Sequence, residues 1–194
     1  MMRRATPHGA HRPRALKGKI MYQHVLVAVD GSACARQALD EAIRLASACH
    51  AHLEILHVID YTFLQYETGY GVRTDLVPEL LEFGHSLLSD AAAAAEKAAL
   101  RHSESLMDNV LSLGDVAGQV LKHVDACGAD VVVVGTHGRH GLKRVLLGSV
   151  AETLARSSPV PVLLVREPAT HHRAAMSSTD GGDTTRKDHT EASQ

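Results

Sequence analysis

The sequence predicts an α/β protein: one doubly wound, mostly parallel five-stranded sheet with helices on both faces, in the Rossmann-like manner. Three observations carry that reading. Five short apolar runs are spread along the chain, and segments of helical period lie between them. Most of the runs are continuous rather than alternating, as parallel strands covered on both faces require. Glycine, aspartate and serine stand at the ends of the runs, where turns and helix starts belong.

Taken in order, Val25-Leu26-Val27-Ala28-Val29 is the first strand and ends at Asp30-Gly31-Ser32. Ala35, Leu39, Ala42, Ile43 and Ala46 follow at spacings of three and four, one face of a helix. Ser32 is placed to cap it, since its hydroxyl can accept from a first-turn N–H. Leu53 to Ile59 is the second strand, and a loop with Gly69, Gly71 and several tyrosines comes after it. From Leu76 to His102 the pattern is helical and rich in alanine, the best helix former. Val110-Leu111-Ser112-Leu113 reads as a short third strand closed by Gly114-Asp115. Val116, Val120, Leu121 and Val124 mark a third helix ending near Gly128, with Asp115 as its cap. Val131 to Gly135 is the clearest strand of the chain. Ser149 is placed to cap a last helix bearing Val150, Leu154 and Ala155, and Val160 to Val165 is the fifth strand.

Right-handed crossovers follow from the strand twist. Ligands of such sheets bind beyond the carboxyl ends of the strands, where strand order reverses. The informative positions are therefore Asp30, Val58 to Asp60, Gly114-Asp115 and the loop after Val134.

Composition narrows the function classes. The chain has 194 residues and a formal charge of −2, with 20 basic against 22 acidic side chains. That balance lacks the cationic surplus needed to displace counterions from nucleic acid. No apolar run approaches the length of a membrane-spanning helix. Cys34, Cys49 and Cys127 form no CxxC pair, and their odd number argues against a disulfide framework. The expectation is a soluble cytoplasmic protein with one folded domain at 21–166. Residues 1–20 carry +6 and no acid, and they lack hydrophobic periodicity. They read as a disordered basic leader rather than a transit peptide or a nucleic-acid arm, and Met21 is an alternative start. Residues 167–194 read as a disordered polar tail.

The segment Gly135-Thr136-His137-Gly138-Arg139-His140-Gly141-Leu142-Lys143-Arg144-Val145-Leu146-Leu147-Gly148-Ser149 carries the chemistry. A strand, a glycine-punctuated cationic loop and a helix start make an anion site. Glycines let backbone N–H groups approach phosphate oxygens, and the helix start adds unpaired donors and positive dipole. Each hydrogen bond to a charged oxygen contributes about 1.5–3 kcal/mol, so three or four would hold a triphosphate at about micromolar concentration. The competing reading is an ordinary turn whose glycines serve packing.

The spacing Gly135-x2-Gly138-x9-Gly148-Ser149 resembles the nucleotide-binding motif of the universal stress protein family. Val27 to Ser32, Leu56-His57-Val58 and Pro159 to Val165 are similar to that family's first, second and last strands, so the likeness spans about residues 21–166. The resemblance implies an adenine nucleotide alpha hydrolase-like fold and an ATP-binding, nucleotide-dependent stress-response regulator. It gives Asp30 the adenosine end of ATP and the backbone of Val58 the adenine. Gly135, Gly138, Gly148 and Ser149 would surround ribose and phosphates, with Val134 and Val150 adjacent through their backbones. A divalent ion, Mg²⁺, would bridge the phosphates. Arg139, Lys143 and Arg144 are added here as charge partners for the anion. The family also implies a homodimer, and an apolar edge strand at Val160 to Val165, with Pro161 in it, fits pairing with a second copy.

Catalytic residues are not named by the sequence. No Walker A pattern, no GxGxxG turn after the first strand, and no HxGH or SGGxDS signature occurs. At most slow hydrolysis or self-phosphorylation is expected. The alternatives are a slow ATPase or self-kinase whose turnover is the function, and a cyclic-AMP-binding or nucleotide-independent interaction module. Fourteen histidines include no HExxH or Cys/His ligand set, so no metal site is assigned. His57 is expected to be a satisfied core or sheet-end residue.

Overall fold

The computed structural model describes residues 21–62, 76–109, 114–138 and 147–167. Its elements are β1 (His24–Ala28), α1 (Ala33–Cys49), β2 (His52–Val58), α2 (Val77–Lys97), β3 (His102–Met107), α3 (Val116–Cys127), β4 (Val131–Gly135), α4 (Ser149–Ser157) and β5 (Val162–Val165). All neighbouring strands run parallel in the order β3-β2-β1-β4-β5. The chain builds outward from β1 to β3 and then returns to lay β4 on the other side of β1. Strand order therefore reverses between β1 and β4.

The alternation of side chains splits the apolar runs between two cores. Val25, Val27, Leu53, Ile55, Val131 and Val133 face α1 and α2, packing with Ala38, Ala42, Leu88 and Ala91. Leu26, Leu56, Val132 and Val134 face α3 and α4, packing with Val120, Val124 and Leu154. Helices thus cover both faces, which is why the strands read as continuous apolar runs. The face of α1 is made of small residues, and Ala38, Ala42 and Ala46 are fully buried. Its start is capped as expected: Ser32 Oγ accepts from the Ala35 N–H at 3.1 Å. Asp115 likewise caps α3, accepting from the Gly118 N–H at 2.9 Å, and Gly128 ends that helix with φ +70°.

Three local expectations are corrected. The third strand is His102–Met107; the run Val110 to Leu113, expected to form it, lies outside the described residues. Its polar sequence, HSESLM, hid it, because an edge strand with serines facing a buried carboxylate carries little apolar signal. The alanine-rich helix accordingly stops at Lys97 instead of running to His102, and Ala99 turns the chain with φ 54°. The cap of α4 is Gly148, and Ser149 is the first helical residue.

Candidate functional site

The carboxyl ends of β1, β2 and β4 and the start of α4 surround a cavity of about 380 Å³. It sits at the reversal of strand order, where doubly wound sheets bind ligands. Asp30, Val58, Val134, Gly135, Gly138, Gly148, Ser149 and Val150 all line it. Arg139, Lys143 and Arg144 lie outside the described residues.

Asp30 follows β1 directly. Its Oδ1 accepts from the Ser32 N–H at 2.9 Å, an Asx turn that fixes the carboxylate at the mouth of α1. Gly31 makes that turn with φ +82°, a conformation only glycine adopts freely. The Ser32 hydroxyl then donates to the His137 carbonyl at 3.3 Å, tying α1 to the loop after β4. A Cβ placed on Gly138 would stand 2.6 Å from Asp30 Oδ2, so the bare backbone of Gly138 lies against the carboxylate.

The other glycines do different work. A Cβ on Gly135 would meet the carbonyl carbon and Cβ of Cys34, both at 2.8 Å, and the Ala35 nitrogen at 3.1 Å. Gly135 is therefore a packing glycine that lets α1 close on β4. Gly148 donates its N–H to the Thr136 carbonyl at 2.7 Å, folding the start of α4 back onto β4. Thr136 in turn donates its N–H to the Val165 carbonyl at 2.8 Å. Among the described residues no side chain caps α4, and its first turn, with the positive dipole end, lines the cavity.

Val58 ends β2. The Leu56 carbonyl accepts from Val29 at 2.9 Å, and Ile59 donates to the Met107 carbonyl at 3.0 Å. By that alternation the main-chain groups of Val58 face the β1 side, beyond the last residue of β1. The floor between is apolar: Ala28, Leu56, Val116, Val120 and Val134. His57 is 2% exposed, and its ring Nδ1 is 2.7 Å from the Val29 carbonyl oxygen, a satisfied core position as expected.

Three contributors went unnoticed in the sequence. Thr136 is buried behind the glycine loop, and Phe83 and Leu80 of α2 close one side of the cavity. A rim signal for α2 was absent because nothing in its sequence distinguishes a cavity wall from a core face. Near the same end, Tyr61 is buried and donates its hydroxyl to Asp108. Burial, reinforced by that carboxylate, pushes the Tyr61 phenol up to about 12. The three cysteines are free thiols.

A five-stranded parallel sheet reversing at β1/β4, with an open helix start and a glycine loop at the reversal, defines the class of Rossmann-like α/β proteins. The model of the universal stress protein family matches residues 21–166, and the chain belongs to that family. It is 33% identical over 153 residues to the universal stress protein YxiE of Bacillus subtilis, covering 75% of this chain and 100% of the relative. A crystal structure from the universal stress protein family of Burkholderia pseudomallei is 32% identical, covering 76% of this chain and 98% of that one, with a TM-score of 0.60. A universal stress protein solved in complex with cAMP is 27% identical, covering 75% of this chain and 97% of that one, with a TM-score of 0.54. Among the described residues no helix is long and apolar enough to cross a membrane.

Proposed function

We propose that this chain is an ATP-binding universal stress protein, a cytoplasmic nucleotide-dependent regulator with at most slow hydrolysis or self-phosphorylation, built on a domain at 21–166. The observation that carries the reading is the start of α4 at Gly148-Ser149, without a side-chain cap among the described residues, opening on the same cavity as the Asp30 carboxylate. Donors and dipole at one end suit phosphates, and a fixed carboxylate at the other suits ribose hydroxyls. The outward main chain of Val58, over an apolar floor, suits the edge and face of adenine. Gly138, Gly148, Ser149 and Val150 would hold ribose and phosphates, Val134 and Gly135 would form the wall behind them, and Arg139 would supply a cation.

Mg²⁺ would enter with the nucleotide. It takes oxygen ligands, and the phosphates would supply most of them. The Ser149 hydroxyl, at the phosphate end, is an oxygen group that would fit such an ion. Bound, it would neutralise phosphate charge. Binding rather than turnover is the proposed output. A homodimer through Val160 to Val165 completes the reading.

The complex of the 27% identical relative supports a second ligand, cAMP, for the same cleft. Mass spectrometry of the purified chain for a co-purifying nucleotide, then titration calorimetry with ATP, ADP and cAMP and a phosphate-release assay, separates these readings. ATP binding with negligible phosphate release is expected. It is expected to vanish in Gly138→Val combined with Ser149→Leu. Unchanged affinity in that variant would discredit the site.

A further inference from the structure

At the opposite end of the sheet, a group of ligand-type side chains has no part in the nucleotide cleft. His24 opens β1 and His52 opens β2, and the two are register partners in the parallel pair. Glu54 lies two residues beyond His52, so all three project from the same face, toward α3. One donor atom from each lies within 4.8 Å of the others. The two imidazoles meet edge to face, 4.9 Å between centroids at 78°. The Nε2 atom of His24 is buried and has no hydrogen-bond partner.

We infer that His24, His52 and Glu54 form a binding site for a divalent transition metal of the Zn²⁺ type, separate from the nucleotide cleft. The orphaned nitrogen is the first reason. A buried polar atom without a partner is rare, and an imidazole nitrogen beside a second imidazole and a carboxylate has a metal ion as its natural partner. The donor set is the second. Two nitrogens and one oxygen favour Zn²⁺ and its neighbours over Mg²⁺ or Ca²⁺, which take oxygen alone. The surrounding hydrogen bonds are the third. Glu54 is 4% exposed, yet its carboxylate is fixed from three sides. Ser103 and Ser105 of β3 donate to it, the latter at 2.7 Å, and His123 Nε2 of α3 lies 2.7 Å from Oε1. His52 Nε2 in turn lies 2.7 Å from the Ser103 hydroxyl. Outer contacts of this kind orient metal ligands.

Protonation states agree with the geometry. Burial, and then the neighbouring His24, hold His52 below the usual imidazole range. Burial opposes ionisation of Glu54, but the bonds from Ser103, Ser105 and His123 outweigh it and keep the group below the ordinary carboxyl range. Around tetrahedral Zn²⁺, donors about 2.0–2.1 Å from the ion stand about 3.3 Å apart. The donors must therefore draw in by about 1.5 Å at most, within reach of the broad terminal torsions of these side chains.

The test uses the full chain, stripped with EDTA, desalted and titrated with Zn²⁺ by calorimetry. A control replaces His8, His11, His171, His172 and His189 with alanine, removing the histidines outside 21–166. One Zn²⁺ per chain is expected to persist in the control. Affinity is expected to fall at least about 100-fold in His24→Gln, and about 10-fold in Ser105→Ala as an outer contact. Loss of binding in the control, retention in His24→Gln, or no Zn²⁺ bound by the original chain would overturn the site. Should His24→Gln fail to fold, nitrogen-15 spectra of the histidine rings decide on the unaltered chain. Zn²⁺ is expected to shift the His24 Nε2 and His52 signals, and shifts confined to other histidines overturn the proposal.

Discussion

Gly138 and Asp30 touch across the mouth of the cleft: a Cβ on the glycine would lie 2.6 Å from Oδ2 of the aspartate. The two residues are far apart in sequence and come from the ends of adjacent strands, β4 and β1. Their contact joins the proposed adenosine and phosphate ends of the site into one surface.

Replacing Gly138 with alanine therefore separates binding from folding. The obstructing atom is the far end of a side chain, which can rotate away at the expense of the Asx-turn bond to the Ser32 N–H, so stability should fall by only about 1 kcal/mol. The displaced carboxylate no longer meets its ligand, and ATP affinity should fall at least 10-fold, about 1.4 kcal/mol. Calorimetry and urea unfolding on the same samples check both halves. Equal affinity would mean that Asp30 does not touch the nucleotide.

Gly135→Ala should behave in the opposite way. Its methyl would meet the Cys34 main chain at 2.8 Å, and backbone cannot rotate aside. Either α1 lifts from β4 or the strand shifts, an overpacking that costs about 1–3 kcal/mol. A lower urea midpoint with an unchanged slope is the expected signature.

Tyr61 sets an alkaline limit. Its phenol ionises at about 12 in the folded chain against an ordinary value of 10.0, so folding favours the protonated form. The stabilisation is present below the unfolded value and is lost as pH rises from 10 through the folded value. In tyrosinate absorption at alkaline pH, the component absent from Tyr61→Phe should titrate last. Below pH 10 that variant should also be the less stable, by about 1.5–3 kcal/mol for a hydrogen bond to a charged group. A component titrating with the other tyrosines would contradict the buried pairing with Asp108.

What the sequence disclosed, and what it hid, follows from where each signal resides. Val25 to Val29 and Val131 to Val134 were legible because strands buried on both faces must be apolar throughout. Ser32 and Asp115 were legible because capping is a local event. The third strand was not, since its Ser103 and Ser105 answer to Glu54 and only Leu106 and Met107 pack on the apolar cores. That same tertiary pairing hid the His24, His52 and Glu54 group, which only register brings together. The division of labour between Gly135 and Gly138 was equally invisible. Both are glycine, and only the position of α1 against β4 tells a packing contact from a ligand-facing one.

The edge of the sheet at β5 carries the last prediction. Pro161 gives its carbonyl to the Val132 N–H at 2.9 Å, and the Val165 carbonyl accepts from Thr136 at 2.8 Å. The proline's missing N–H thus falls just before the strand begins at Val162. By the same alternation, the main-chain groups of Val162 and Leu164 point away from β4, and among the described residues no strand lies beyond them. Leu163 is 40% exposed on that edge, flanked by residues that pack inward. A second copy related by a twofold axis would pair with these groups and cover Leu163. Lysine there is the device by which edge strands resist pairing, and at an exposed site it should alter chain stability by about 0.5 kcal/mol or less. Leu163→Lys should therefore weaken the dimer at least 100-fold, about 2.7 kcal/mol, while ATP affinity stays as it was. Light scattering at micromolar concentration is expected to show a dimer for the original chain and a monomer for the variant. A monomer in both would remove β5 as the interface.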